Sequence, residues 1–234
     1  MTKLKTCCTY RVGDGIHSHG DFTKIQDAIN ALPKEGGEVC VLPGLFIENI
    51  HIDERVNIVI HGCGSRTRVS AIPAAANAAL PAFLVTVSSG IVIEDMAIEA
   101  GPRSAVQIGN SRHITIRHCL VQMRDLFSIW QAIYSRGDDV LIEDNTIEIL
   151  PPDGRAQAAS IPPPAGDALA PAGVNTPPDP VTIATSARGG IQLGGGSDRV
   201  RIFNNLIHGG TWNGITLGSL EEIGAKNGAA SLQA

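Results

Sequence analysis

HITIRHCLV occupies residues 113–121, and three other stretches follow its pattern: GIVIEDMAI at 90–98, DVLIEDNTI at 139–147 and RVRIFNNLI at 199–207. In each, a branched residue (Ile91, Ile114, Val140 or Val200) is followed two positions on by isoleucine (Ile93, Ile116, Ile142 or Ile202). Next comes a turn position held by Met96, Cys119, Asn145 or Asn205, and two residues later Ile98, Val121, Ile147 or Ile207. The units start 23, 26 and 60 residues apart. Alternation of this kind turns every second side chain to one face of a strand. A recurrence in the low twenties is the length of one coil of a β-solenoid. At the turn, Asn145 and Asn205 tolerate a left-handed backbone, and their amides can hydrogen-bond up and down the stack.

A further strand accompanies each unit: SAVQIG (104–109), QAIYSR (131–136), GGIQLG (189–194) and NGITLG (213–218). Upstream, short strands are expected at Val39–Leu42, Ile47–Ile52, Val56–Ile60 and Phe83–Val87. One helix is expected over Phe22–Leu32, where Phe22, Ile25, Ala28, Ile29 and Leu32 recur at spacings of three and four. Thr23 and Gln26 read as its capping box, and Pro33 with Gly36-Gly37 ends it. The fold class is therefore all-β: a single-stranded right-handed parallel β-helix (β-solenoid) with an N-terminal capping α-helix. Residues 20–37 form the cap, 38–150 and 188–218 the coils, and 219–234 a C-terminal cap or tail. The segment between, 151–187, is an inserted loop, since nine of the 14 prolines fall in 151–188 with many alanines and no aromatic residue.

The 234 residues are 43% hydrophobic, enough for a core, and only 4% aromatic, with 26 glycines. Eighteen basic against 23 acidic side chains give a net charge of −5, which argues against a nucleic-acid binder held by bulk charge. No apolar run reaches membrane-spanning length. MTKLKTCCTY at the N-terminus lacks the apolar stretch of a secretory signal. The chain is thus expected outside the cell or on a particle if it is part of a longer protein, and in the cytoplasm otherwise. Cys7, Cys8, Cys40, Cys63 and Cys119 are odd in number and lack a Cys-x-x-Cys spacing, so they read as buried reduced thiols rather than a zinc site.

The stretch DFTKIQDAINALPKEGGEVCVLPGLFIENIHI (21–52), with the repeats, resembles the pectate-lyase-like superfamily of right-handed parallel β-helices. The resemblance covers most of residues 20–218. It implies the fold strongly and function weakly, because the superfamily holds polysaccharide lyases, glycoside hydrolases, epimerases, tailspike proteins and non-catalytic surface proteins. The family's catalytic patterns are mostly unmatched. Ser135-Arg136-Gly137-Asp138-Asp139 resembles a polygalacturonase motif only superficially, since Asp138 and Asp139 fall in the turn before a repeat.

Stacking the coils in register gives three columns expected to face outward. Arg103, Trp130, Arg188 and Trp212 form one, Ala105, Ala132, Gly190 and Gly214 the next, and Gln107, Tyr134, Gln192 and Thr216 the third. The expected shape is a shallow trough suited to a polysaccharide, with rings to stack on sugars and arginines to pair with carboxylates. The same Arg–Trp column also reads as a cation–π stack that only stabilises the sheet. Asp125, Asp138 and Asp139 are the acidic candidates for catalysis, and Arg136 is a candidate for stabilising charge. No cofactor follows from the residues; a lyase would call for calcium. No metal ligands are assigned, as His17 and His19 lack a third partner. Two functional classes stay open: a lyase or hydrolase acting in the trough, and a non-catalytic module that binds glycans or stiffens an assembly. The C-terminal stretch is too short for two more coils, so the last coil is expected to be covered by a short helix around Leu220–Ala225, by a further domain, or by a second copy in a homo-oligomer.

Overall fold

The computed structural model describes residues 8–73, 80–100, 103–123, 131–149, 190–209 and 214–218. The described residues wind through six coils of a parallel β-helix, each contributing a strand or half-strand to three faces. The first face runs through β1 (Tyr10–Val12), β2 (Gly37–Val41), the start of β5 (Val56–Ser70), the start of β7 (Ser89–Ala100), the ends of β8 (Val106–Arg117) and β10 (Ile133–Glu143), and β13 (Arg201–Phe203). The second face holds β3 (Gly44–Ile47), the ends of β5 and β7, β9 (Leu120–Met123), β11 (Thr146–Ile149) and β14 (Leu206–His208). The third holds β4 (Ile50–Asp53), β6 (Phe83–Thr86), the starts of β8 and β10, β12 (Ile191–Leu193) and β15 (Ile215–Leu217). Every ladder among the described residues is parallel. The expected strand over Ile47–Ile52 is two strands, broken by a corner at Glu48 and Asn49.

The register is the one that the repeats predict. Ile91, Ile114 and Val140 stack on one another, as do Ile93, Ile116 and Ile142, and all six are fully buried. Each such side chain contributes about 1.5–3 kcal/mol of burial free energy. On the third face Val106, Ile133 and Ile191 stack in the same way and are fully buried, and that column ends at the last coil, where Ile215 is 47% exposed.

Two of the three corners share one device: a left-handed residue followed by a buried or half-buried one. Between the first and second faces the pairs are Asp95-Met96, His118-Cys119, Asp144-Asn145 and Asn204-Asn205, with φ of 53° at each first member. The left-handed position is therefore the residue before Asn145 and Asn205, not those asparagines themselves. Their side chains instead turn inward: Asn145 accepts from the Cys119 N–H (3.0 Å) and donates to the Ile116 carbonyl (3.0 Å) and to Asn205 Oδ1 (2.9 Å). Buried backbone groups at a bend need such partners. Between the third face and the next coil, Glu54-Arg55, Val87-Ser88 and Asn110-Ser111 repeat the device. There the Ser88 N–H donates to Ser111 Oγ (3.1 Å) and the Arg55 N–H to Ser88 Oγ (3.0 Å). The remaining corner, from second to third face, varies from two residues (48–49) to 41 (150–190).

At the N-terminal end α1 (Ile25–Ala31) closes the barrel, burying Ile25, Ala28 and Ile29. It is shorter than expected, and no Thr23–Gln26 capping box forms. Lys24 is the N-cap and has no side-chain cap bond. The Glu48 carboxylate takes that role from the first coil, accepting from the Ile25 and Gln26 N–H groups at 2.9 and 3.1 Å. Gln26 is thereby released to pair with His51 along the edge of β4, at 2.7 and 3.1 Å. Arg55 donates to the Leu32 carbonyl (3.0 Å) just past the other end of the helix. Cys8 and Cys40 are joined in a disulfide, which corrects their reading as reduced thiols. Their Cα atoms lie 5.7 Å apart, within bonding reach. Cys119 is free and buried, and burial pushes its pKa up to about 12. Cys7 lies outside the described residues.

Candidate functional site

The corner between the third face and the next coil carries a recess of about 500 Å³. Its length follows from register: Val56, Ser89, Arg112 and Asp138 stand on successive coils in one column. At the ~4.8 Å spacing of a sheet, the column runs about 14 Å along the axis. Val87, Asn110, Ser111, Arg136 and Gly196 complete the wall.

Arg136 is placed by its neighbours in the ladder. Gly109 lies in register with it, and on the other side a Cβ at Gly194 would collide with Arg136 and with the Tyr134 hydroxyl. Glycine on both sides gives a long side chain room to lie along the surface. Arg112 is exposed, and Asp138 accepts a hydrogen bond from the Asp198 N–H at 3.1 Å. Asp139, next along the chain, takes a left-handed conformation and turns toward Arg199, whose Nε and Nη2 lie 2.6 and 3.0 Å from its two oxygens. The hydrogen bond from Arg199 holds the Asp139 carboxyl below the usual range, and Asp139 raises Arg199 in turn. Such a carboxylate is a poor general base and cannot serve as an acid near neutral pH.

His113 lies beside the recess, with Nε2 3.4 Å from Asp139 Oδ2 and Nδ1 3.4 Å from Ser89 Oγ. Serine, histidine and aspartate in line would suit a nucleophile, a base and its orienting partner. Here both links are long and Arg199 already occupies both oxygens of the aspartate.

Of the residues picked out from sequence, the structure brings Arg136 and Asp138 into one recess and sets Asp139 beside it. Gln107, Tyr134, Gln192 and Thr216 do form a single column on the outward side of the third face. Only Gln107 is half-open; Tyr134, Gln192 and Thr216 are buried, with Gln192 donating to the Gly218 carbonyl at 3.0 Å. Ala105 and Ala132, expected to floor an open trough, are fully buried too. The outward face is thus covered where the trough was expected to be open. Arg103 is half-buried in the variable corner ahead of β8. Asp125, Trp130, Arg188 and Trp212 lie outside the described residues. Arg112, Ser89 and Arg199 are not among the residues picked out from sequence. The register would have placed them all, since each falls one or two residues from a position already aligned.

A second polar line runs along the first corner. His61, Glu94, Arg117 and Glu143 stack in register. Arg117 Nε lies 2.6 Å from Glu94 Oε2, and His61 Nδ1 3.1 Å from Glu94 Oε1. Burial works against the Glu94 charge, but hydrogen bonds from Arg117 and His61 outweigh it and lower its pKa.

No known sequence family and no curated protein matches the chain. Solved structures do. A pectin methylesterase from carrot aligns over 64% of this chain at 13% identity and a TM-score of 0.42; the chain spans 55% of that enzyme's length. A protein from Parabacteroides merdae ATCC 43184, provisionally described as a glycosyl hydrolase, aligns over 78% of this chain and 88% of its own at 13% identity and a TM-score of 0.44. A pectin methylesterase from Aspergillus niger aligns over 100% of this chain and 93% of its own at 11% identity and a TM-score of 0.40. Likeness at this level concerns the fold and carries no argument about chemistry. The assignment to a parallel β-helix fold rests on the ladders themselves.

Proposed function

We propose that this β-helix binds an acidic polysaccharide along the corner between its third face and the next coil. The observation that carries the reading is the pair Arg112 and Arg136 on the wall of one elongated recess, beside the Ser89 hydroxyl. Guanidinium groups take carboxylates through paired hydrogen bonds, and serine hydroxyls suit the sugar's own. The spacing of the column along the axis suits an extended chain rather than a compact ligand.

Binding without turnover is the form that the site favours, because Asp138 and Asp139 are already engaged by Asp198 and Arg199. The processing alternative, a lyase or hydrolase using Asp138, Asp139 or Asp125 with Arg136, is supported by Arg136 and Asp138 lining the same recess. A lyase of this kind would draw on calcium. The Cys8–Cys40 disulfide favours an oxidising setting, outside the cell or on a particle.

The test is retention on a panel of acidic and neutral polysaccharides. Arg112→Ala with Arg136→Ala should lower affinity for acidic chains at least tenfold and leave the thermal midpoint within a few degrees. Equal binding to neutral and acidic chains, or binding untouched by the double change, would overturn the reading. Release of unsaturated or reducing ends, with or without calcium, would move the conclusion from module to enzyme.

A further inference from the structure

The first corner, away from the recess, gathers a different chemistry. His61 closes the first-face part of the second coil, Glu94 and Asp95 stand above it on the third, and His118 on the fourth. His61 Nδ1 lies 3.1 Å from Glu94 Oε1 and 3.4 Å from Asp95 Oδ2, and the three ligand atoms all fall within 4.8 Å of one another. A tetrahedral ion with bonds of 2.0–2.2 Å sets its ligands about 3.3–3.6 Å apart. The cluster is therefore close to the spacing that such an ion imposes.

The outer partners point the same way. The other Glu94 oxygen is held by Arg117 Nε at 2.6 Å, which leaves Oε1 facing His61. The other Asp95 oxygen faces His118 Nδ1 at 3.6 Å, and His118 Nε2 faces Asp144 Oδ2 at 3.7 Å. Carboxylates and imidazoles around a metal are oriented by such second contacts. Gly62 makes the approach feasible, since a Cβ there would collide with the Asp95 carbonyl. Glu94 is nearly buried, while His61 and Asp95 are half-exposed, so an ion has both a fixed anchor and a path in.

We propose that His61, Glu94 and Asp95 bind a divalent first-row transition ion, zinc foremost, with His118 as a positioning residue that holds Asp95. An imidazole nitrogen with two carboxylates suits zinc, whereas calcium takes an all-oxygen shell. The ion ties the second coil to the third at a corner where β5 and β7 shift register. The site is separate from the polysaccharide recess and does not depend on it.

The experiment is calorimetric titration of zinc into chelator-treated, unreduced protein, with Cys63→Ser removing the half-buried free thiol. Leaving the Cys8–Cys40 disulfide intact keeps the nearby Glu38 from joining two thiolates in a competing cluster. One ion per chain is expected, with a rise in thermal midpoint. His61→Ala should weaken binding at least a hundredfold and His118→Ala about tenfold, the usual cost of losing an outer partner. His113→Ala, at the other corner, should change nothing. Cobalt in place of zinc should give visible bands that His61→Ala abolishes. Absence of zinc binding overturns the proposal, as does binding that His61→Ala changes less than twofold, or that is lost only with Cys63.

Discussion

The corner between the first and second faces and the corner between the second and third teach opposite lessons. In the first, from the third coil on, two residues make the bend every time, one left-handed and one turned inward. Asn205, Asn145 and Cys119 there pass hydrogen bonds from coil to coil. In the second, the connection ranges from two residues to 41. A bend whose interior must satisfy buried backbone groups cannot change length without breaking the stack. A bend that leaves from the surface can, because loop closure costs little more as a loop grows.

Interior substitutions at the regular corner should cost most. Ile116→Ala, in a fully buried column beneath that corner, is expected to destabilise by about 2–5 kcal/mol in denaturant unfolding. Asn145→Ala should cost less, about 1–3 kcal/mol for a buried group left without its partner, and the loss should shrink in an Asn205→Ala background where the ladder is already cut. Glu94→Gln should act through pH. The folded pKa of Glu94 is depressed, so its stabilisation is complete above about pH 4.3, the ordinary glutamate value, and fades as pH falls through the lowered one. Thermal midpoints of parent and variant should therefore differ near neutrality and converge in acid; a constant gap would remove Glu94 from the account. Deleting most of 151–187 from the variable corner should change stability least, by about 1 kcal/mol or less. A larger loss would show that the two corners do not differ as described.

What could be read from the sequence follows the same division. The inward isoleucines and the Asn145–Asn205 column were legible because they repeat and because burial enforces the repeat. The outward columns were legible in register but not in exposure: alternation says which way Tyr134 and Gln192 point, not whether something lies over them. The Glu48 cap and the Cys8–Cys40 bridge join residues 22 to 32 positions apart, which local spacing does not encode. His61 had no visible partner in sequence, since Glu94 and Asp95 meet it only once Gly62 lets the coils close.

The stack's register underlies each of these statements, and cross-linking tests it directly. Thr115 and Leu141 are partners in the ladder on the outward side of the first face. In a Cys63→Ser background, with Cys119 buried and its thiol protonated, Thr115→Cys with Leu141→Cys should oxidise readily to a disulfide. Thr115→Cys with Glu143→Cys, two residues out of step, should not. Equal bridging in both pairs, or bridging only in the second, would mean that coils 26 residues apart do not lie over one another as described.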